Sequence, residues 1–332
     1  MPGPARRAAT PYAGSASMEQ IRDQAGTPRL AWPAPGSAAP SFDQMLAAAE
    51  TAFARNPLAD AVTLDAPPPY LERLRLQGLL DTTSATPRLT AAAFYQYAPI
   101  WLGDRPLQPF PLRYTMSQGY RHPLRPPKPT GVVYRRHIPW LDATLSLRAA
   151  SADLDAARLN RWMNDPHVAA FWQEEGDLEK HRDYLLRGAE DPHTLALIAC
   201  LDNVPFGYFE TYWAKEDRIA PFCDARDHDR GWHVLIGEPA FRGARYVAAW
   251  LPSISHYLFL DDARTQRLVI EPRIDNTRML RNLARSGYAL EKAFDFPHKR
   301  AMLGTLSRER FFAERFWIPR GPAGECVAAP AS

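Results

Sequence analysis

The sequence predicts an α/β protein with a mixed sheet (an α+β arrangement) and a proline-rich N-terminal accessory region. From about Thr144 to Trp317, segments typical of strands alternate with segments typical of helices, as in layered α/β folds. The 332 residues are 46% apolar, which is enough for the core of one large domain or two smaller ones. Of the 32 prolines, 21 lie in residues 1–140, so the two parts of the chain differ in kind.

The first 140 residues are predicted to contain a tail and a small domain. Residues 1–40 are rich in alanine, proline, glycine and serine, which is typical of a disordered tail. An accessory domain is predicted over residues 41–140. Its first helix begins at Ser41, which forms a capping-box pattern with Gln44, and a second helix is predicted in PPPYLERLRLQGLL. The segment LTAAAFYQYAPIWLG fits a helix or a strand, and short strands separated by proline turns follow it.

Residues 141–320 are predicted to form the main domain, and residues 321–332 a C-terminal tail. The domain begins with the strand ATLSLRAA and an amphipathic helix that has Ser151 as its N-cap. The next segment is typical of a hairpin that turns at Asp202 and Asn203. The buried strand GWHVLIGE follows it.

The last part of this domain continues the alternation. A helix contains Pro252, either in its first turn or at a kink. The strand QRLVIEP precedes a helix that has Asp275 as its N-cap and Gly287 at its end. Two strands, YALEKAFDF and HKRAMLGTLS, complete the predicted domain.

Composition argues against several classes of function. The net charge of +3, from 40 basic and 37 acidic residues, gives no argument for a nucleic-acid partner. No apolar run is long enough to cross a membrane, and no signal peptide is predicted, since Arg6 and Arg7 precede Ala-Ala-Thr. Three scattered cysteines, Cys200, Cys223 and Cys326, fit neither a disulfide framework nor a zinc motif. These features predict a reduced, cytoplasmic protein.

The stretch GWHVLIGEPAFRGARYVAAW predicts an anion site between a buried strand and a helix. Gly243 would let the backbone approach a ligand, and the helix N-terminus would offer unpaired N–H groups and a positive dipole end. Arg242 and Arg245 could neutralise phosphate. A phosphorylated cofactor is therefore expected here, and a charged surface turn is the alternative.

The order of predicted elements from about Thr144 to Trp317 resembles the GNAT acyltransferase fold. Within it, five segments together resemble the siderophore-biosynthesis acyltransferases, most of all the aerobactin-type N-hydroxylysine acetyltransferases. They are NDPHVAAFWQEEG, YFETYWAKEDRIAPF, GWHVLIGEPAFRG, LFLDDARTQRLVIEPRIDN and FDFPHKRAML. The segment HPLRPPKPTGVVYRRHIPWL also resembles the join between an N-terminal extension and the catalytic domain in longer members.

This resemblance implies transfer of an acyl group, by default acetyl, from acyl-CoA to the hydroxylamine nitrogen of an N-hydroxylated amino acid or diamine. The product would be a hydroxamate, whose hard oxygen donors suit ferric iron. The co-substrate would be acetyl-CoA or another acyl-CoA, and no metal is implied. The acceptor (N-hydroxylysine, N-hydroxyornithine or a diamine) stays open, as do the acyl chain, a homodimer and docking to other siderophore-pathway enzymes.

The resemblance also implies a cofactor site. Pantetheine would pair with the central strand, and pyrophosphate would lie at the following helix, where amides from about Gly243 to Val247 would hold it. Asn276 would begin the next helix beside the cofactor. The implied cofactor-binding residues are Val234, Leu235, Ile236, Gly237, Arg242, Gly243, Arg245 and Asn276.

For catalysis, the resemblance implies that His233 takes up a proton near the thioester. Without the resemblance, the simpler interpretation of His233 would be a core histidine hydrogen-bonded to the main chain. Glu271 would orient His233 or share the proton work, or is only a carboxylate at a helix entry. The position of the tyrosine acid of many GNAT enzymes corresponds here to Leu283, so the thiolate would be protonated from elsewhere, by water or by His233.

Two segments are predicted to bind the acceptor. His167, Phe171 and Trp172 follow the first helix, and Glu210, Trp213 and Lys215 precede the central strand. A carboxylate in the second segment could hold an acceptor ammonium, and Lys215 or Arg218 an acceptor carboxylate. Aromatic packing and cross-strand pairing are the alternatives. The charged run APFCDARDHDRG matches no metal motif, so no metal site is expected. Two other functions stay open: a GNAT enzyme that acts on a plain amine, and a non-catalytic acyl-CoA-binding assembly protein.

Overall fold

A computed structural model of the protein describes residues 18–22, 26–34, 37–103, 108–117, 119–321 and 324–328. The chain divides into two compact units, Met1–Phe94 and Tyr95–Ser332, and each is described by itself. None of the helices in these described stretches combines the length and hydropathy that crossing a bilayer needs.

The first unit contains a four-stranded sheet in the order β1-β2-β3-β4. Its strands are β1 (Glu19–Arg22), β2 (Pro28–Ala31), β3 (Ala61–Leu64) and β4 (Arg88–Thr90), and its helices are α1 (Phe42–Arg55), α2 (Pro68–Leu76) and the start of α3 (Ala91–Gln96). The predicted capping box is confirmed, because Ser41 Oγ accepts the N–H of Gln44 at 3.2 Å and the Gln44 side chain accepts the N–H of Ser41 at 2.6 Å.

Strands β1 and β2 lie inside the stretch predicted to be a disordered tail. The composition of residues 1–40 hides the apolar pattern of these two strands. In β2, Leu30 is fully buried while its neighbours are half-buried. This alternation is typical of a strand with one buried face. Residues 1–17 lie outside the described residues.

The second unit is built on an eight-stranded sheet in the order β13-β14-β12-β11-β10-β9-β8-β7. The strands are β7 (Val132–Ile138), β8 (Ala143–Ala149), β9 (Thr194–Leu201), β10 (Val204–Trp213), β11 (Arg230–Ile236), β12 (Arg267–Ile270), β13 (Ala289–Phe296) and β14 (Lys299–Ser307). A separate hairpin is formed by β5 (Tyr114–Ser117) and β6 (Tyr120–Pro123). Because β7 pairs with β8, the sheet begins before residue 141, the predicted start of the main domain.

The helices of this unit are α4 (Ala98–Leu102), α5 (Ala152–Met163), α6 (Pro166–Trp172), α7 (Leu178–Glu190), α8 (Ala220–Cys223), α9 (Ala244–Asp261), α10 (Thr277–Arg285) and α11 (Arg308–Ala313). The segment that fitted a helix or a strand contains α3 and α4. Helix α9 is buried from Ala249 to Leu260, and Trp250 packs against Phe209 and Trp232 on one face of the sheet. Helices α5 and α7 pack on the other face, where Leu159 and Leu185 join the core.

The predicted hairpin turn is confirmed, because Asp202 and Asn203 both have positive φ angles, of 45° and 66°, as a two-residue type I′ turn requires. Helix α9 starts earlier than predicted. It begins directly after Gly243, whose φ of 116° favours glycine. Pro252 therefore lies in the helix interior.

Of two helix caps predicted in this domain, the position of Ser151 is confirmed and that of Asp275 is wrong. Ser151 stands at the N-cap of α5, but its side chain makes no capping bond; instead Asp155 Oδ2 accepts the N–H of Ser151 at 3.0 Å. The cap of α10 is Asn276, whose Oδ1 accepts the N–H of Met279 at 3.1 Å. Asp275 is held outside the helix by a two-bond ion pair with Arg273.

The two central strands separate after one point of contact. Strand β11 pairs with β10 from Arg230 to Ile236, but it meets the parallel strand β12 only at Arg230 and Leu268. A gap therefore opens in the sheet beside the C-terminal half of β11. Residues His233 to Ile236 line one edge of that gap, and the site described below is built around it.

Candidate active site

His233 lies between two carboxylates at the edge of the gap. Its Nε2 is 2.9 Å from Glu271 Oε1, and its Nδ1 is 3.6 Å from Glu210 Oε2. Glu210 is directly opposite His233 in the β10–β11 register, whereas Glu271 follows β12 across the gap. Three elements therefore converge on one imidazole ring, which is a quarter exposed.

Glu271 is fully buried and receives hydrogen bonds from several directions. Its Oε1 accepts from Arg218 at 3.1 Å and lies 3.4 Å from Lys299 Nζ, which also donates to the Glu271 main-chain carbonyl. Its Oε2 accepts the hydroxyl of Tyr212 at 3.0 Å. These bonds fix the carboxylate, so it can hold the imidazole in one orientation.

Glu210 is held in a similar way from the α7 side of the sheet. Its Oε1 accepts the hydroxyl of Tyr184 on α7 and that of Tyr208 at 2.8 Å. The other oxygen, Oε2, faces His233. The two tyrosines thus leave one carboxylate oxygen directed at the ring.

These charges keep the site ionised. Burial alone would lower the pKa of His233, but the carboxylates of Glu271 and Glu210 outweigh it and raise that pKa to about 10. Burial likewise acts to raise the pKa of Glu271, yet the charges of His233, Lys299 and Arg218 hold it well below its usual range. Hydrogen bonds from His233 and two tyrosines overcome burial and lower the pKa of Glu210. At neutral pH the site is an imidazolium between two carboxylates.

The site also depends on Gly231, a residue to which sequence reasoning assigned no role. A Cβ at Gly231 would lie 2.2 Å from the Tyr212 ring and 2.3 Å from the Val269 carbonyl oxygen. Glycine therefore lets the tyrosine lie across β11 and reach Glu271. The signal available in the sequence was a glycine inside a strand pattern, which often marks a close approach.

One cavity of about 720 Å³ opens beside His233 on the side of α6 and α7. Three of the predicted acceptor-binding residues line it: Phe171, Trp172 and Glu210. The other members of that set lie elsewhere. The guanidinium groups of Arg125 and Arg230 lie over the Trp213 ring, which is on the opposite face of β10 from Glu210. Lys215 lies beyond the end of β10 and donates to the Ala225 carbonyl at 2.7 Å.

A second cavity of about 430 Å³ lies along the gap toward the start of α9. Six of the residues predicted to bind the cofactor line it: Val234, Leu235, Ile236, Arg242, Gly243 and Asn276. His167, which was predicted to bind the acceptor, lies here instead. Two others do not line it. Gly237 packs under Trp162, which a Cβ would approach to 2.1 Å, and Arg245 lies over the Tyr246 ring.

The edge of β11 presents main-chain groups to the gap. Trp172 Nε1 donates to the Val234 carbonyl at 3.1 Å, and Arg242 Nε donates to the Ile236 carbonyl at 3.1 Å. Because the N–H and C=O of one strand residue point to the same edge, the N–H groups of Val234 and Ile236 also face away from β10. Arg242 is further held 3.4 Å from Asp165, the N-cap of α6.

The start of α9 faces the second cavity. The N–H groups of Tyr246 and Val247 donate to the Gly243 carbonyl, so they are less available than expected. Those of Ala244 and Arg245 precede the first helical bonds, and helix geometry gives them no intrahelical partner. This position suits an anion.

The two cavities share a wall next to His233. Phe171, Trp172, Val234, Asn276 and Met279 line both of them. Leu283, which stands where many GNAT enzymes have a tyrosine acid, is buried and lines the larger cavity. A group bound along the β11 edge and a group bound in the larger cavity could therefore meet at this wall.

Acidic side chains of the charged run APFCDARDHDRG are hydrogen-bonded to other residues of the protein. Asp229 accepts two bonds from Arg267, and Asp227 accepts the Tyr114 hydroxyl. Among the residues that the structure describes, no group of three or more histidine, cysteine or acidic side chains is arranged to hold a metal ion.

Comparison with known proteins agrees with this architecture. Residues 151–296 match the family profile described as an acetyltransferase (GNAT) domain. A solved structure of an uncharacterized protein from Bacillus halodurans matches with a TM-score of 0.54 and 27% identity, covering 57% of this chain and 96% of that one. The predicted fold is therefore confirmed.

Two curated relatives carry the narrower resemblance. The chain is 48% identical over 192 residues to the N(6)-hydroxylysine O-acetyltransferase of Escherichia coli, covering 58% of this chain and 61% of the relative. It is 47% identical over 206 residues to the N(5)-hydroxyornithine:cis-anhydromevalonyl coenzyme A-N(5)-transacylase of Beauveria bassiana. This match covers 61% of this chain and 45% of the relative. The predicted resemblance is confirmed, and the chain spans between about half and two thirds of these relatives' lengths.

Proposed function

Because residues 151–296 form a GNAT domain and the chain is a homologue of siderophore-biosynthesis acyltransferases, we propose that this protein transfers an acyl group from acyl-CoA to a hydroxylamine nitrogen. The acceptor would be an N-hydroxylated amino acid or diamine, and the product a hydroxamate. The observation that carries the proposal is the wall shared by the two cavities, where His233 stands between Glu210 and Glu271.

The smaller cavity would hold the co-substrate. A pantetheine carbonyl would accept a bond from the N–H of Val234 or Ile236, and the diphosphate would lie near Arg242 and the first amides of α9. Arg242 would then exchange its contact with Asp165 for the phosphate. This arrangement would bring the thioester to the wall beside Trp172 and His233.

The larger cavity would hold the acceptor with its hydroxylamine end at that wall. The neutral nitrogen attacks the thioester carbonyl carbon, a C–N bond forms, the C–S bond breaks, and the nitrogen loses a proton while the thiolate gains one. Holding the nitrogen and the thioester close together in the right orientation contributes much of the rate in such reactions. A hydroxylamine is less basic than an alkylamine, so no strong base is needed.

The charge of His233 changes the role expected from the sequence. An imidazolium cannot accept a proton, so we assign His233 as a proton donor to the departing thiolate and as a positive charge beside the developing oxyanion. Glu271 keeps the ring oriented and charged. Glu210 is the carboxylate placed to receive the proton that the nitrogen loses. His233 therefore donates a proton to the thiolate and then takes one up again, which restores the imidazolium.

The test is product formation by the purified full-length protein. With acetyl-CoA and N6-hydroxylysine, we expect equal amounts of free CoA thiol and of a product that gives the coloured ferric hydroxamate complex. Acylation on oxygen would release thiol without that complex. Thiol release with lysine but not with N6-hydroxylysine would favour a plain-amine enzyme, and binding of CoA without turnover would favour an assembly protein.

We also propose a cytoplasmic location, where acyl-CoA is available. The described cysteines, Cys200, Cys223 and Cys326, are free thiols, which is consistent with a reducing compartment.

A further inference from the structure

Arg218 has a position in the larger cavity that catalysis does not explain. It follows β10, lines the cavity and keeps 49% of its side chain exposed. Its Nη2 donates to Glu271 Oε1 at 3.1 Å, and its guanidinium lies 5.4 Å from the Phe296 ring centre. A guanidinium has five N–H donors in a planar fork, so this contact leaves most of its donors facing the cavity.

The other cations that line this cavity have protein partners. His193 lies 2.5 Å from Asp191 and 3.8 Å from Asp217, and these carboxylates outweigh burial and raise its pKa. Arg273 makes two bonds to Asp275, at 3.0 and 2.6 Å. Lys299 donates to the main chain of Glu271, and only 14% of its side chain is exposed. Desolvation and the nearby charges of Arg218 and Lys299 lower the pKa of His298, which disfavours its charged form. Arg218 is therefore the described cation best placed to meet an anionic group of a bound acceptor.

The distance between Arg218 and the reaction point suits a short aliphatic chain. His233 Nε2 and Arg218 Nη2 lie 2.9 Å and 3.1 Å from the same Glu271 oxygen, so these two nitrogens are no more than 6.0 Å apart. In N6-hydroxylysine, six bonds of about 1.5 Å join the hydroxylated nitrogen to the carboxylate carbon. A molecule of this kind can reach from the shared wall to the guanidinium fork.

The acidic residues around Arg218 have other cations beside them. Asp191, Glu216 and Asp217 line the same cavity, where Arg125 binds Glu216 and His193 lies next to Asp191 and Asp217. Asp217, adjacent in the chain, is an acceptor for the ammonium group that an α-amino acid carries next to its carboxylate.

Building on the proposed function, we infer that Arg218 is a specificity-determining residue. It binds the carboxylate of the acceptor and thereby selects N-hydroxylated amino acids over N-hydroxylated diamines. The sequence left Lys215 and Arg218 as alternatives for this carboxylate, and Lys215 lies outside the cavity.

The experiment compares two acceptors that differ only in the carboxylate. We would measure kcat/KM for hydroxamate formation with N6-hydroxylysine and with N-hydroxy-1,5-diaminopentane. In Arg218→Gln, kcat/KM for the amino acid should fall by about 10- to 100-fold more than that for the diamine, as expected for loss of a hydrogen bond between charged groups. Arg218→Lys, which keeps the charge but not the fork, should recover part of that difference.

The ratio between the acceptors separates this role from support of Glu271. Loss of the Glu271 contact alone would lower both values by the same factor, and that outcome would overturn the inference. Arg273→Gln is the matched control, since it removes a cation from the same cavity and should leave the ratio unchanged. If the wild-type protein makes hydroxamate from both acceptors equally well, the inference fails while the proposed function stands. If it makes none from either acceptor, the proposed function itself fails.

Discussion

Replacing His233 with glutamine is expected to lower kcat for acyl transfer by about 10²- to 10⁴-fold. Glutamine can still donate a hydrogen bond to Glu210 or Glu271, but it carries no charge and cannot give a proton to the thiolate. CoA affinity should stay close to that of the wild type, because His233 does not line the smaller cavity. Steady-state turnover and calorimetric titration with CoA measure the two quantities separately.

His298→Gln is the matched control for this substitution. His298 lines the same cavity, but its pKa is lowered where that of His233 is raised, so its replacement should change kcat far less. Thermal unfolding of each variant would show that the fold is retained. A loss of CoA affinity in His233→Gln, with kcat preserved, would contradict the assigned proton role.

Replacing Arg125 with methionine is expected to destabilise the protein by about 3–5 kcal/mol. Arg125 Nε and Nη2 bind the two oxygens of Glu216, each at 2.5 Å, and both side chains are almost fully buried. Nη1 donates to the Asp227 carbonyl at 2.8 Å, and the guanidinium lies over Trp213. Methionine keeps much of the packing but leaves a buried carboxylate without its cation. Urea unfolding curves with unchanged slope would report the loss.

Two further variants test this explanation. Arg125→Met combined with Glu216→Gln should recover part of the stability, because the orphaned charge is removed. Arg310→Met breaks an exposed pair with Glu314 and should cost no more than about 0.5 kcal/mol. A cost below about 1 kcal/mol for Arg125→Met would mean that Glu216 finds another partner or becomes protonated.

The order of the elements in the second unit followed from local sequence signals. Period-two alternation indicated the strands, and the Asp202–Asn203 turn fixed one hairpin. The glycine and arginines after β11 marked the start of α9, and Arg242 and Gly243 do line the smaller cavity. Such signals depend on neighbours in the chain, so one sequence is enough to detect them.

Features that depend on register could not be predicted in this way. Glu210 faces His233 only because β10 and β11 pair in one particular register. By contrast, Trp213 lies on the opposite face of β10 from Glu210, as strand alternation requires, and Lys215 lies beyond the end of that strand. The raised pKa of His233 follows from that register and from the position of Glu271 across the gap, and neither is visible in the chain alone.

The N-cap of α10 was predicted wrongly for a different physical reason. Asp275 and Asn276 are adjacent and both favour N-caps, so composition could not decide between them. The ion pair with Arg273 holds the Asp275 side chain, and Asn276 caps the helix instead. In α5 the buried Asp155, held by Arg148 and Arg158, accepts the N–H of Ser151, while the Ser151 side chain makes no capping bond.

The central claim is that His233 acts as an imidazolium, and the pH dependence of kcat tests it most directly. Its raised pKa contributes stability that is complete below the ordinary histidine value of 6.5 and is lost as pH rises through about 10, so folding would be followed by circular dichroism in the same samples. With both substrates saturating, kcat should be level from about pH 7 to about pH 9 and then fall through about pH 10 as the ring loses its proton. This fall should be absent in His233→Gln. A kcat that instead rises through an apparent pKa near neutrality, with the rise abolished in His233→Gln, would show that the ring works as a base and would contradict the account.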